Sequence, residues 1–133
     1  MQPKILLVED DTSLSQLYKV ELELKGYQVI IAADGQEGLD LAAKEKPDLV
    51  LLDVMMPKLN GLEALKRLKD NPETESIPVV VITNFGQEDI IKGAFDAGAS
   101  DLVLKYQITP AELADKIKTI MAPVHYDIPE GAD

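Results

Sequence analysis

The chain has no cysteine, no tryptophan and one histidine, and its 13 Lys and Arg face 24 Asp and Glu, for a formal net charge of −11. Without cysteine there is no disulfide and no thiolate metal site. The histidine, His125, lies near the C-terminus, in a stretch that gives no reason to read it as a ligand. So few basic residues argue against binding nucleic acid through this domain alone, because phosphate contacts need clustered Lys and Arg. The acidic balance suits a bound cation or a basic partner surface. Generic solubility accounts for the net charge equally well. No apolar run reaches the ~20 residues that a membrane span needs. The opening MQPKILLVEDD is not a signal peptide, since its apolar stretch is short and acids follow at once. A cytoplasmic protein is expected. No GxxxxGK[ST] motif is present, so ATP use through a P-loop is unsupported. There is no internal repeat and no low-complexity tract.

What is present is a regular alternation. A chain of 133 residues with 46% hydrophobic and 28% charged content favours one folded domain. Short apolar runs at 5–8, 28–32, 49–52 and 77–82, with a weaker one at 101–104, read as five strands. Between them, apolar residues recur at helical spacing: Leu14, Leu17 and Tyr18; Leu39, Ala42 and Ala43; Leu62, Leu65 and Leu68; Ile90, Ile91, Ala94 and Phe95. Lys25-Gly26 and Gly98 read as helix ends, and Asp34 with Glu37 as a capping pair. A fifth helix opens on Thr109-Pro110-Ala111-Glu112 and continues through Leu113, Ile117, Ile120 and Met121. Strands without polar alternation are buried on both faces, so a parallel sheet with helices on both sides is expected. Right-handed crossovers leave few topologies. The domain is expected to span 1–121. Residues 122–133, ending in PVHYDIPEGAD, lack a pattern and read as a tail or a truncated linker.

One charge stands out. Asp53 interrupts the apolar run from Leu49 to Met56. The expectation is that it is not buried within the strand but sits at its end, where the chain emerges. Other polar residues follow strands too: Glu9, Asp10 and Asp11 after the first, Thr83 after the fourth and Lys105 after the fifth. Ligands of open α/β sheets bind at the C-terminal strand edge, where the strand order switches. If the first and third strands are neighbours, Glu9, Asp10 and Asp53 converge. Carboxylates that close share protons or hold a cation. Oxygen ligands without His or Cys fit Mg²⁺, which keeps waters and bridges to phosphate. Lys105 could pair with a phosphoryl oxygen and the Thr83 hydroxyl could donate to another, with Asp53 as nucleophile. Taken singly, each residue has a plainer reading. Asp11 is a turn or cap, Glu9-Asp10 a solvated loop, Thr83 a β-former and Lys105 a surface lysine. The joint placement on one edge carries the chemistry.

These residues resemble the receiver (CheY-like) domain of bacterial two-component response regulators. The resemblance covers residues 4 to about 121 through ILLVEDD, LVLLDVMMPKLNG, VVVIT and GASDLVLK. It implies a flavodoxin-like (βα)₅ three-layer sandwich with a parallel sheet of order 2-1-3-4-5. It implies that Asp53 takes a phosphoryl group from a sensor histidine kinase or a histidine phosphotransferase. Glu9, Asp10, Asp53 and the main-chain carbonyl of Met55 would hold Mg²⁺, and Thr83 and Lys105 would contact the phosphoryl group. Such a domain is not an enzyme in the usual sense, though it could catalyse its own phosphorylation and dephosphorylation. It would be a monomer or a weak homodimer through the fourth helix, fifth strand and fifth helix, with no direct nucleic-acid or membrane partner.

Three positions depart from the family pattern. Asn84 stands where a small residue usually follows the Ser/Thr, which bears on dephosphorylation. Leu102 stands where an aromatic usually precedes the lysine by three. Tyr106 stands where a Pro usually follows it, often after a cis bond. A cis Lys105–Tyr106 bond would cost about 3–4 kcal/mol, so a trans bond and an altered loop are expected. Tyr106 or Phe85 could stand in for the missing aromatic, or simply pack.

Other functions fit parts of the same pattern. One is a receiver-like interaction module that no longer switches, or the receiver fragment of a larger regulator. Another is a phosphohydrolase with an aspartyl nucleophile, but Met55 occupies the position of its second Asp. A flavin or dinucleotide protein would need phosphate-binding amides where Glu9-Asp10-Asp11 stands, and those acids repel anions.

Overall fold

The computed structural model describes residues 2–54 and 60–122. Strands and helices alternate as β1 (Lys4–Val8), α1 (Thr12–Leu24), β2 (Gln28–Ala32), α2 (Gly35–Glu45), β3 (Leu49–Asp53), α3 (Gly61–Asp70), β4 (Val79–Thr83), α4 (Glu88–Asp96) and β5 (Asp101–Leu104). A single 3₁₀ turn, Lys105–Gln107, leads towards α5 (Pro110–Met121). All pairings are parallel and the order is β2-β1-β3-β4-β5, the flavodoxin-like arrangement. Helix α5 ends at Met121; Pro123 to Asp133, His125 included, lie outside the described residues.

Alternation along the strands sorts the core into two halves. Ile5, Leu7, Leu49, Leu51, Val80 and Ile82 face α1 and α5, meeting Tyr18, Leu22, Leu113 and Ile117. Leu6, Val8, Val50, Leu52, Val79 and Val81 face α2, α3 and α4, meeting Ala42, Leu65, Leu68 and Ala94. The period of two in a strand and doubly covered faces explain why β3 and β4 contain no exposed residue.

Local signals fix the helix ends. Asp11, Asp34 and Asn60 cap α1, α2 and α3 by accepting the amides of Leu14, Glu37 and Leu62. Thr109 and Glu112 form a reciprocal capping box with Pro110 at the first turn of α5.

The structure corrects one expected boundary. The fourth strand begins at Val79, not Ile77: the Ile77 amide closes a turn on the Thr74 carbonyl, and Pro78 has no amide to donate. Leu17 and Phe95 do not share the buried faces of their helices and are about half exposed. Successive helical residues point 100° apart, so once Tyr18 and Ala94 face the sheet, Leu17 and Phe95 turn outward.

Candidate functional site

The sheet register levels the C-terminal strand ends: Val8 lies beside Leu52, Asp53 beside Ile82 and Thr83 beside Leu104. The strand order turns back between β1 and β3, and the acidic residues collect there. Glu9, next after β1, is 2% exposed, so the plainer reading of a solvated Glu9 is set aside. Its amide donates to the Ala32 carbonyl and its Oε2 accepts the Asp11 amide. Asp10, by contrast, is exposed. Asp53 is the last residue of β3 and is 3% exposed. It stands at the end of the strand, as expected, but the expectation that it would escape burial is corrected: an ammonium makes its burial tolerable. Thr83 is likewise the last residue of β4 and fully buried.

That ammonium belongs to Lys105, whose Nζ donates to Glu9 Oε1 at 2.6 Å and to Asp53 Oδ2 at 2.9 Å. Carboxylate oxygens of Glu9, Asp10 and Asp53 all come within 4.8 Å of one another. Three acids against one base leave surplus negative charge. Burial pushes the Glu9 carboxyl up to about 7; the hydrogen bond from Lys105 opposes this and the charge of Asp53 adds to it. Burial also works against the Lys105 ammonium, but its bonds to Glu9 and Asp53 outweigh that and raise its pKa. The donor set fits a hard divalent cation, being all oxygen and short of positive charge. Glu9, Asp10 and Asp53 are the residues that could hold it. Met55, whose carbonyl was expected to join them, lies outside the described residues.

Two features were not read from the sequence. The Thr83 Oγ1 accepts the Phe85 amide at 3.0 Å, which ties the start of the β4–α4 loop to the site. A Cβ on Gly61 would overlap the Cα of Val54 and crowd the Asp53 carbonyl, so only glycine lets the start of α3 press on the chain leaving Asp53. The Asn60-Gly61 pair was visible as a motif, but its closeness to Val54 exists only in three dimensions. Of the atypical positions, Asn84 is exposed, Leu102 is half-buried against the α2–α4 side of the core, and Tyr106 is exposed. The Lys105–Tyr106 bond is trans, as are all peptide bonds among the described residues.

The family model of the response regulator receiver domain matches residues 5–118. The chain belongs to this family. As a receiver domain it is a phospho-accepting module of two-component signalling. The receiver is 43% identical over 124 residues to the transcriptional regulatory protein CpxR of Escherichia coli, covering 92% of this chain and 51% of that one. It is 40% identical to the alkaline phosphatase synthesis transcriptional regulatory protein PhoP of Bacillus subtilis, covering 91% of this chain and 49% of that one. The receiver therefore spans about half the length of these curated relatives. Among solved structures, a putative response regulator from Chloroflexus aurantiacus superposes with a TM-score of 0.84 at 32% identity, covering 92% of this chain and all of that one. The Vibrio cholerae chemotaxis protein CheY4 gives the same TM-score at 27% identity, covering 91% of this chain and 100% of that one. Among the described residues, no helix is long and apolar enough to cross a membrane.

Proposed function

We propose that this receiver takes its phosphoryl group on Asp53, with Mg²⁺ held by Glu9, Asp10, Asp53 and the Met55 carbonyl, and that Thr83 and Lys105 stabilise the transferred group. The observation that carries this reading is the Lys105 ammonium between Glu9 and Asp53, residues 96 and 52 positions away in sequence. A carboxylate oxygen of Asp53 attacks the phosphorus of a phosphohistidine on a sensor kinase or phosphotransferase. The P–N bond breaks, its electron pair returns to the imidazole, and an aspartyl phosphate forms. When bound, Mg²⁺ neutralises charge on the phosphoryl oxygens. Lys105 offers its ammonium to one of those oxygens and Thr83 its hydroxyl to another. The same groups serve when water removes the phosphoryl group, so the domain catalyses both reactions on itself; Asn84, beside Thr83, sets the rate of the second. The acidic surface, the domain at 1–121 and the linker-like residues 122–133 suit a cytoplasmic receiver that acts through protein partners. It would act alone, as part of a longer regulator, or as a weak dimer through α4, β5 and α5.

The test is labelling by a small phosphodonor such as acetyl phosphate. Wild-type protein should be labelled only with Mg²⁺, and Asp53→Asn not at all. Equal labelling of that variant rejects Asp53 as acceptor. A second reading, a receiver that no longer switches, draws support from Leu102, which fills the place of the usual aromatic and packs half-buried. Amide spectra with and without a phosphoryl mimic decide between them: an unmoved α4–β5–α5 face favours the second.

A further inference from the structure

Thr83 and Lys105, the two groups read above as touching phosphoryl oxygens, end or follow neighbouring strands. Each leads into a short segment. From Thr83 runs the loop of residues 84–87, and the Phe85 amide holds it to the Thr83 hydroxyl at 3.0 Å. From Lys105 runs a three-residue 3₁₀ turn, with Tyr106 directly after the lysine. The two segments meet. A Cβ on Gly86 would lie 3.0 Å from the Tyr106 hydroxyl oxygen and 3.3 Å from a Leu104 methyl. Tyr106 thus folds back over Gly86, in the space a side chain there would fill. Tyr106 is 64% exposed as a residue, so the contact lies at the surface. Leu102 has no hydroxyl and is packed against the α2–α4 core instead.

We propose that Tyr106 is a positioning residue that couples Lys105 to the β4–α4 loop through its contact with Gly86, and so carries the state of the site to the start of α4. The proposal rests on the phospho-acceptor reading above. A phosphoryl group brings a charge of about −2 and new acceptor oxygens next to Asp53. These draw the Lys105 ammonium away from its present partners and turn the Thr83 hydroxyl inward. The lysine side chain is only 10% exposed, so it has little room to absorb the change alone. The turn that contains Tyr106 shares it. On the other side, moving Thr83 moves the Phe85 amide bound to it, and Gly86 follows. Both displacements meet where Tyr106 covers Gly86.

The 133-residue chain carrying 3-fluorotyrosine tests this. The chain has four tyrosines, and Tyr106→Phe identifies the Tyr106 fluorine line by its loss. On adding Mg²⁺ and beryllofluoride as phosphoryl mimic, that line should shift. Gly86→Ala should shift it without any mimic, since the new methyl presses most closely on the Tyr106 hydroxyl, with the Leu104 methyls next, and both are side-chain ends that can yield. Tyr106→Ala should keep Mg²⁺-dependent labelling of Asp53 and the mimic-induced shift of the Thr83 amide, but lose the shifts of Gly86, Gln87 and Glu88. A fluorine line that stays still in protein whose Asp53 is labelled overturns the proposal, as do unchanged loop shifts in Tyr106→Ala. Wild-type protein that cannot be labelled sinks the phospho-acceptor reading, and the proposal with it.

Discussion

With its side chain closed off from solvent beside Asp53, Glu9 keeps a proton up to about pH 7 in the metal-free protein. An unfolded chain releases that proton near 4.5. The folded state therefore binds more protons between those values, and the stability this contributes is fully present below about 4.5 and lost as pH rises through about 7. The shift corresponds to on the order of 3 kcal/mol. Urea unfolding in EDTA should show a midpoint that falls from pH 5 to pH 8, and Glu9→Gln should flatten the slope. Protons and Mg²⁺ compete for the same oxygens, so Mg²⁺ affinity should weaken as pH drops from 8 to 6, read by calorimetry. Asp10 differs because it is exposed. Asp10→Asn should leave the melting temperature in EDTA nearly unchanged and remove most of the rise that Mg²⁺ produces. The stabilisation behind that rise is about 2.7 kcal/mol at a hundredfold excess over Kd. A wild-type melting temperature indifferent to Mg²⁺ would count against the metal site.

Among the elements, α3 and α5 carry the clearest consequences. Gly61 opens α3 against the backbone that leaves Asp53, and its added Cβ would collide with main chain, which cannot yield as a side-chain tip can. Gly61→Ala should cost about 3 kcal/mol or more. It should also reduce Asp53 labelling in whatever fraction still folds, because the strain falls on the chain next to the acceptor. The capping box of α5 is a milder case. Thr109→Ala removes the acceptor for the Glu112 amide and should cost about 1 kcal/mol without touching labelling. A drop in labelling in Thr109→Ala would show that the turn Lys105–Gln107 depends on how α5 begins. These elements were legible in sequence to different degrees. The Thr109-Pro110-Glu112 start was readable outright because capping is local. The buried faces of α1 and α4 were not, since apolar residues such as Leu17 and Phe95 fit the helical period as well as the residues that face the sheet.

Across the whole molecule, a single parallel sheet sets the distance between groups that are remote in sequence. The order β2-β1-β3-β4-β5 puts β3 between β1 and β4, so Glu9, Asp53 and Thr83 fall on adjacent strand ends, and β5 brings Lys105 to the same edge. The net charge of −11 acts on the molecule as a whole. It should keep this chain by itself from retarding DNA at moderate salt, and a gel shift that persists there would show a basic face the charge count conceals.

By itself the sequence determined the alternation of strands and helices, the caps, and the identity of the residues at the strand ends, because period and capping depend on near neighbours. It also marked Asp53 as a charge out of place. Only the tertiary structure decided that Asp53 and Glu9 are buried, that one ammonium serves both, and that Tyr106 lies over Gly86. These depend on which strand ends lie side by side, and the desolvation and Coulomb energies that follow are set by distances no local pattern encodes.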